Sequence, residues 1–218
     1  MYTVKSAMKE VEGLSEPSKM PGYSYNLPAQ ECNVGSKLIK IIGSVCADCY
    51  ALKGRYRFPN VKDAQYRRLH SMLTNPKWVS ALAFLINWYA KKIKYFRWHD
   101  SGDLQSLDHL KKIVKICKLT PTVKHWLPTR ELQLIRQYKR ECGEFPDNLT
   151  VRVSAAMVDG KPLKGFENTS TVVKSIQRSE YKTNKDFVIC PSSLQDNKCK
   201  DCRACWDKEV SNVAYIIH

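Results

Sequence analysis

The sequence is short of acidic residues, of glycine and of long apolar runs, and each shortage excludes something. Its 218 residues hold 21 Asp and Glu against 36 Lys and Arg, a formal net charge of +15. Such an imbalance makes a polyanion, nucleic acid first, the expected partner. No apolar run approaches the roughly 20 residues that a membrane span needs, so no membrane partner is expected. The opening Met1-Tyr2-Thr3-Val4-Lys5 has no signal-peptide core, and a cytoplasmic location is expected. There is no low-complexity tract and no repeat. Five of the nine glycines fall in the first 60 residues, beside Pro17, Pro21, Pro28 and Pro59. A loop-rich opening of that length is costly to order unless something organises it.

Regular patterning begins beyond it. The spacing of apolar residues predicts helices from Asn60 to Leu73, from Trp78 to Ala90, from Leu104 to Leu119 and from Glu131 to Arg140. Asn75-Pro76 supplies a cap and a first-turn proline for the second of these. Strands are expected from Lys94 to Trp98, Thr122 to Leu127 and Leu149 to Ala155. Their starts are about one βα unit apart, which implies a parallel sheet. The expected fold class is α/β: a (βα)-repeat TIM-like barrel, partial or reduced, of about six strands. One domain is expected over 1–218, with an irregular cysteine-containing segment (1–60), a βα core (61–185) and a cysteine-rich C-terminal segment (186–218). With 43% hydrophobic residues, a sizeable core is possible.

What the chain has in plenty is cysteine, nine in all. In a reducing compartment these are not expected to form a disulfide framework, and their spacing points to metal. Cys190, Cys199, Cys202 and Cys205 lie close in sequence, and four thiolates suit zinc or an iron–sulfur cluster. His218 is a possible substitute for one of them. Cys32, Cys46 and Cys49 form a second possible metal site, and three ligands leave one coordination position open. A structural knuckle that borrows a fourth ligand is an equally good reading of these three. Cys117 and Cys142 are expected to be ordinary core or surface residues.

Two further segments end predicted strands, where parallel α/β proteins place their sites. His99-Asp100-Ser101-Gly102-Asp103 offers two carboxylates and an imidazole, and His99, Asp100 and Asp103 are the catalytic candidates. Asp103 is also a possible cap for the following helix. His125-Trp126-Leu127-Pro128-Thr129-Arg130-Glu131 offers Arg130 for a phosphate or carboxylate. His125, Arg130, Arg152, Lys53, Arg55 and Arg57 are the substrate- or nucleic-acid-binding candidates. The last three alternate with Tyr56 and Phe58, a mixture suited to phosphate neutralisation and base stacking.

Taken together, Lys19-Met20-Pro21-Gly22, Cys46-Ala47-Asp48-Cys49-Tyr50-Ala51, the HDSGDL segment at 99–104, HWLPTRE at 125–131 and CRACW at 202–206 resemble the phage gene product 88 family. That resemblance covers nearly the whole chain and implies the cytoplasm of a host cell. Pieces also resemble two enzyme superfamilies. The Asp-Ser-Gly and Pro-Thr-Arg segments, followed by a cysteine cluster, are similar to the phage DNA-guanine transglycosylases. That likeness implies a zinc-containing enzyme that exchanges guanine in DNA for a 7-deazaguanine base (preQ0-like), with Asp100 or Asp103 as nucleophile. This is the leading expectation. Cys32, Cys46, Cys49 and Tyr50-Ala51 resemble the cluster loop of radical S-adenosylmethionine proteins. That likeness implies a 4Fe-4S cluster with S-adenosylmethionine, in an enzyme acting on nucleic acid. A non-catalytic, zinc-stabilised DNA-binding module is the third expectation.

Overall fold

The structure is a computed structural model that describes residues 1–175 and 187–217. Its centre is a seven-stranded, wholly parallel sheet: β1 (Tyr23–Tyr25), β2 (Tyr95–Trp98), β3 (Lys124–Thr129), β4 (Leu149–Val158), β5 (Thr169–Val173), β6 (Phe187–Ile189) and β7 (Asn212–Ile216). The spatial order is β1-β2-β3-β4-β5-β7-β6. The sheet therefore has two edges, β1 and β6, and closure into a barrel is not observed. Consecutive pairing of β1 to β4 follows from helical crossovers, which return each strand parallel beside its predecessor, whereas residues 159–168 join β4 to β5 without a helix.

The α-helices are α1 (Val4–Glu10), α2 (Gly35–Leu38), α3 (Pro59–Thr74), α4 (Trp78–Tyr89), α5 (Leu107–Leu119) and α6 (Leu132–Cys142). Among the described residues no helix is long and apolar enough to cross a membrane. Successive strand residues face opposite ways, so the sheet has two cores. Phe96, Trp98, Leu127, Val151 and Val153 pack with buried residues of α4, α5 and α6, such as Leu82, Ile113 and Ile135. Trp126 and Val213 face the other side and pack with Cys205, Trp206 and Val210 of the C-terminal segment. A helical layer thus covers one face, and a short, mostly irregular segment covers part of the other.

The predicted elements are present with shifted ends. Helix α5 starts at Leu107 because Ser106 is its N-cap, its side chain accepting from the His109 backbone N–H. The capping alternative for Asp103 therefore does not hold. Strand β3 runs two residues further than the periodicity suggests, through Pro128 to Thr129. The opening segment is less irregular than its composition implies. It contains α1, packed on α4, and it donates β1, whose Tyr23, Ser24 and Tyr25 pair with Phe96, Arg97 and Trp98. His218, the alternative ligand, lies outside the described residues.

Candidate active-site cleft

A cavity of about 370 Å³ opens at the C-terminal ends of β2 and β3. Arg97, residues 99–103 and residues 128–130 form part of its wall, and Cys32, Cys46 and Cys49 form another part. Two joints fix these walls together. Leu27 N–H donates to the Ser101 carbonyl, and Ser101 Oγ donates to the Leu27 carbonyl at 2.6 Å. Gly102, at φ +83°, permits this approach: a Cβ there would stand 2.6 Å from Leu27 Cβ. The second joint is Glu131, which accepts from Val34 N–H at 2.9 Å and so ties the cysteine-bearing loop to the end of β3.

The two candidate aspartates are both spoken for. Asp100 accepts from Arg97 Nη1 at 2.6 Å on one oxygen and from the Tyr56 hydroxyl on the other. Its carbonyl accepts from the Tyr50 hydroxyl. Burial opposes the Arg97 charge, but Asp100 and Tyr50 outweigh it, and the guanidinium is held charged. It lies 4.5 Å over the Trp126 ring, a cation–π contact. Asp103 is buried. One oxygen accepts from Leu104 N–H at 2.7 Å and Thr129 Oγ1 at 2.6 Å, the other from Arg130 N–H at 2.9 Å. Burial pushes its pKa up against these hydrogen bonds. It stitches the end of β2 to the end of β3.

His99 is different. It is 3% exposed, has φ +55°, and lines the cavity. Neither ring nitrogen has a protein partner among the described residues. Burial, then the nearby His109 and Arg97, hold its pKa well below the ordinary value, so the ring is neutral. A neutral imidazole presents one donor and one acceptor. Arg130 also lines the cavity, with a buried Nε lacking a protein partner among the described residues.

Two of the binding candidates need correction. His125 is fully buried on the helical side of the sheet, its Nε2 2.8 Å from Thr120 Oγ1. Arg152 is fully buried too. It donates to the carbonyls of Cys205, Thr169, Val210, Ala204 and Asp207. Neither reaches a surface that nucleic acid can touch, and both serve the fold. Their strand pattern gave alternating residues but not which face carries the helices. Lys53, Arg55 and Arg57 are exposed, just beyond Tyr50–Leu52, which line the cavity. Lys53 pairs with Asp48 at 2.7 Å. Arg97, Gly35 and Glu131 went unnoticed as site residues. The visible signal for Arg97 is a lone cation inside the aromatic strand Tyr95-Phe96-Arg97-Trp98.

Of the three cleft cysteines, Cys32 directly follows the short helical turn Ala29–Glu31, and Cys46 and Cys49 share one later turn, in which Cys49 N–H donates to the Cys46 carbonyl at 3.2 Å. A Cβ on Gly35 would stand 3.7 Å from both Cys32 Sγ and Cys46 Sγ, so these sulfurs lie within twice that distance of each other. The same Cβ would crowd Cys32 Cβ at 2.9 Å, so glycine keeps this cradle open. Burial, Asp103 and the neighbouring thiols push the Cys32 pKa up, while Arg130 pulls it down. Burial also raises Cys46, again opposed by Arg130. Among the described residues no three Cys, His, Asp or Glu side chains stand as a ready cage for one ion. A zinc ion draws tetrahedral sulfurs to about 3.8 Å of one another, from Zn–S bonds of about 2.3 Å. A four-iron cluster carries its own sulfides and spans a wider cradle. The bound on the Cys32–Cys46 separation admits either arrangement.

No curated protein and no solved structure matches the chain. The model of the family Gene product 88 matches residues 3–208, and the chain belongs to that family.

Proposed function

We propose that the cleft is the active site of an enzyme acting on nucleic acid, in which Cys32, Cys46 and Cys49 hold a 4Fe-4S cluster and S-adenosylmethionine is the co-substrate. The observation that carries this reading is the convergence of the three cysteines, 17 positions apart in sequence, on one cavity at the strand ends. A cluster held by three thiolates keeps one iron open to an exogenous ligand and supplies one-electron chemistry there.

The chain's own residues do the rest. Arg130 provides a cation for a carboxylate or phosphate beside the thiols, and its charge favours the thiolate form that a metal needs. Neutral His99 offers a donor and an acceptor to a ligand in the cavity. The Arg97–Asp100–Tyr56 network holds the 50–57 segment against the cleft. Exposed Arg55, Arg57 and Phe58, which is 55% exposed, provide charge and a stacking face outside it.

Base exchange through an aspartate nucleophile, with a 7-deazaguanine as incoming base, ranks second. That chemistry needs a carboxylate oxygen free to attack a sugar carbon. Both oxygens of Asp100 and both of Asp103 already accept hydrogen bonds. The deciding experiment is anaerobic purification with iron and sulfide analysis. About four irons per chain are expected, lost in Cys46→Ser, together with cleavage of S-adenosylmethionine under reduction. Protein without iron that incorporates labelled guanine into DNA overturns the proposal in favour of base exchange.

A further inference from the structure

The cleft leaves four cysteines without a task. We infer that Cys190, Cys199, Cys202 and Cys205 form a second, closed metal centre, separate from the cleft, whose work is to fasten the C-terminal segment to the sheet. Its ligand is one thiophilic group, a zinc ion or an iron–sulfur cluster, bound by four thiolates.

The topology brings the thiols to one place. Cys190 follows directly on β6, and its N–H donates to the Ala214 carbonyl on β7. The next residue of β7, Tyr215, has its hydroxyl 3.1 Å from Cys205 Sγ. Cys190 and Cys205 therefore meet at the C-terminal end of the β6–β7 pair. Cys199 is anchored there by its N–H to the Lys19 carbonyl at 2.8 Å, and Cys202 turns back on it through its N–H to the Cys199 carbonyl. Cys190 and Cys202 are electrostatic neighbours of Cys199, and Cys190 and Cys199 are neighbours of Cys205. No disulfide joins them. None of the four lines the cleft cavity. Four protein ligands leave no open position, which is the arrangement of a structural site.

Apolar burial does little to hold the segment's shape, whose other ties include Arg203 Nη1 donating to the Cys202 carbonyl at 2.8 Å and the Arg203 guanidinium 5.1 Å over the Tyr95 ring. Between Cys190 and Cys205 the largest apolar side chain, Leu194, is 76% exposed. Asp196, Asn197 and Lys200 all have positive φ, at 56°, 58° and 43°. A polar loop in a costly backbone conformation needs a cross-link to repay its ordering. The end of the segment and the residues after it are secured by Arg152, which donates to the Ala204, Cys205 and Asp207 carbonyls, and by Trp206 Nε1 donating to the Phe96 carbonyl at 2.9 Å. Metal binding draws ligand sulfurs together, so the four thiols need not already form a cage.

The test is elemental analysis with native mass spectrometry on three anaerobically purified proteins: the full chain, Cys46→Ser, and the double variant Cys199→Ser/Cys202→Ser. Expected is a metal complement that Cys46→Ser keeps and the double variant loses: one zinc per chain, or iron with sulfide beyond the cleft's share. An unchanged complement in the double variant overturns the inference, as does a full chain whose only metal is what Cys46→Ser removes. Should the double variant not fold, native alkylation of the full chain replaces it, with exposed Cys142 as internal reference. Cys190, Cys199 and Cys202 are then expected to react at least tenfold slower than Cys142 and to gain that reactivity when a chelator is added. Reactivity unchanged by the chelator overturns the inference.

Discussion

At the scale of single residues, the site is held by buried groups whose states follow from desolvation. His109 and His125 are buried, and burial lowers each pKa to about 3. Their folded values lie below the unfolded value of about 6.5. The stability they contribute is therefore fully present above about pH 6.5 and is lost as pH falls towards about 3. Each costs about 1.4 kcal/mol per pH unit within that window. Asp103 works in the opposite sense, because its raised pKa makes its contribution fade as pH rises. Urea midpoints measured between pH 7 and 4 check the balance. His125→Gln keeps a partner for Thr120 and is expected to flatten the acid limb by one proton; an unchanged limb would count against burial as the cause. Asp103→Asn replaces an acceptor with an amide facing the Arg130 N–H. It is expected to cost about 1–3 kcal/mol in the same measurement. Gly102→Ala forces a side chain into Leu27 at a positive φ and is expected to lower stability by more than about 2 kcal/mol. A variant as stable as the parent would mean that the joint between the β1 and β2 ends is dispensable.

At the scale of elements, the sequence announced those parts whose period is their own. The amphipathic spacing of α5 and α6 and the β-branched run of β4 were legible, because each buries one face or two by local pattern. The three-residue β1 was not, since so short a strand carries no period and exists only because Phe96–Trp98 is there to receive it. Facing was also hidden: Arg152 stands in a strand that reads as a ligand-bearing edge, yet its partners are carbonyls about 50 residues onward. The cysteines of the cleft were legible as a group, but the glycine that keeps their cradle open was not. Arg152→Met tests the element that Arg152 secures. The Ala204, Asp207 and Val210 carbonyls keep another donor, so those of Cys205 and Thr169 are the ones left short, at about 1–3 kcal/mol for each that finds no other partner. Limited proteolysis is expected to cut between residues 190 and 210 in this variant while the helical layer stays resistant. Equal resistance in variant and parent would assign the anchoring elsewhere.

At the scale of the whole molecule, two observations bear on the proposed partner: a charge of +15 and a cleft whose outer segment carries exposed Lys53, Arg55 and Arg57. The charge alone predicts binding that is tight at low salt and indifferent to sequence, because each phosphate neutralised releases counterions. It does not say where on the surface the nucleic acid lies. The cleft does, if substrate must reach the thiols past residues 50–57. Lys53 is half committed, since it pairs with Asp48, whereas Arg55 and Arg57 have no ion pair among the described residues. An exposed pair of that kind is worth little and yields readily to a phosphate. The triple variant Lys53→Ala/Arg55→Ala/Arg57→Ala is therefore expected to lower the slope of log affinity against log salt by about 2 to 3 on duplex DNA, at about 0.9 per phosphate contact. The metal content of the cleft should be unchanged, because none of the three approaches a thiol as a ligand. Affinity measured across a range of salt, rather than at one concentration, separates this from a general loss of charge. Three lysines removed from α5 and its flank, Lys111, Lys115 and Lys118, serve as the control of equal charge. Equal slopes in the two triple variants would place the bound nucleic acid away from the cleft and remove the reason for making it the substrate.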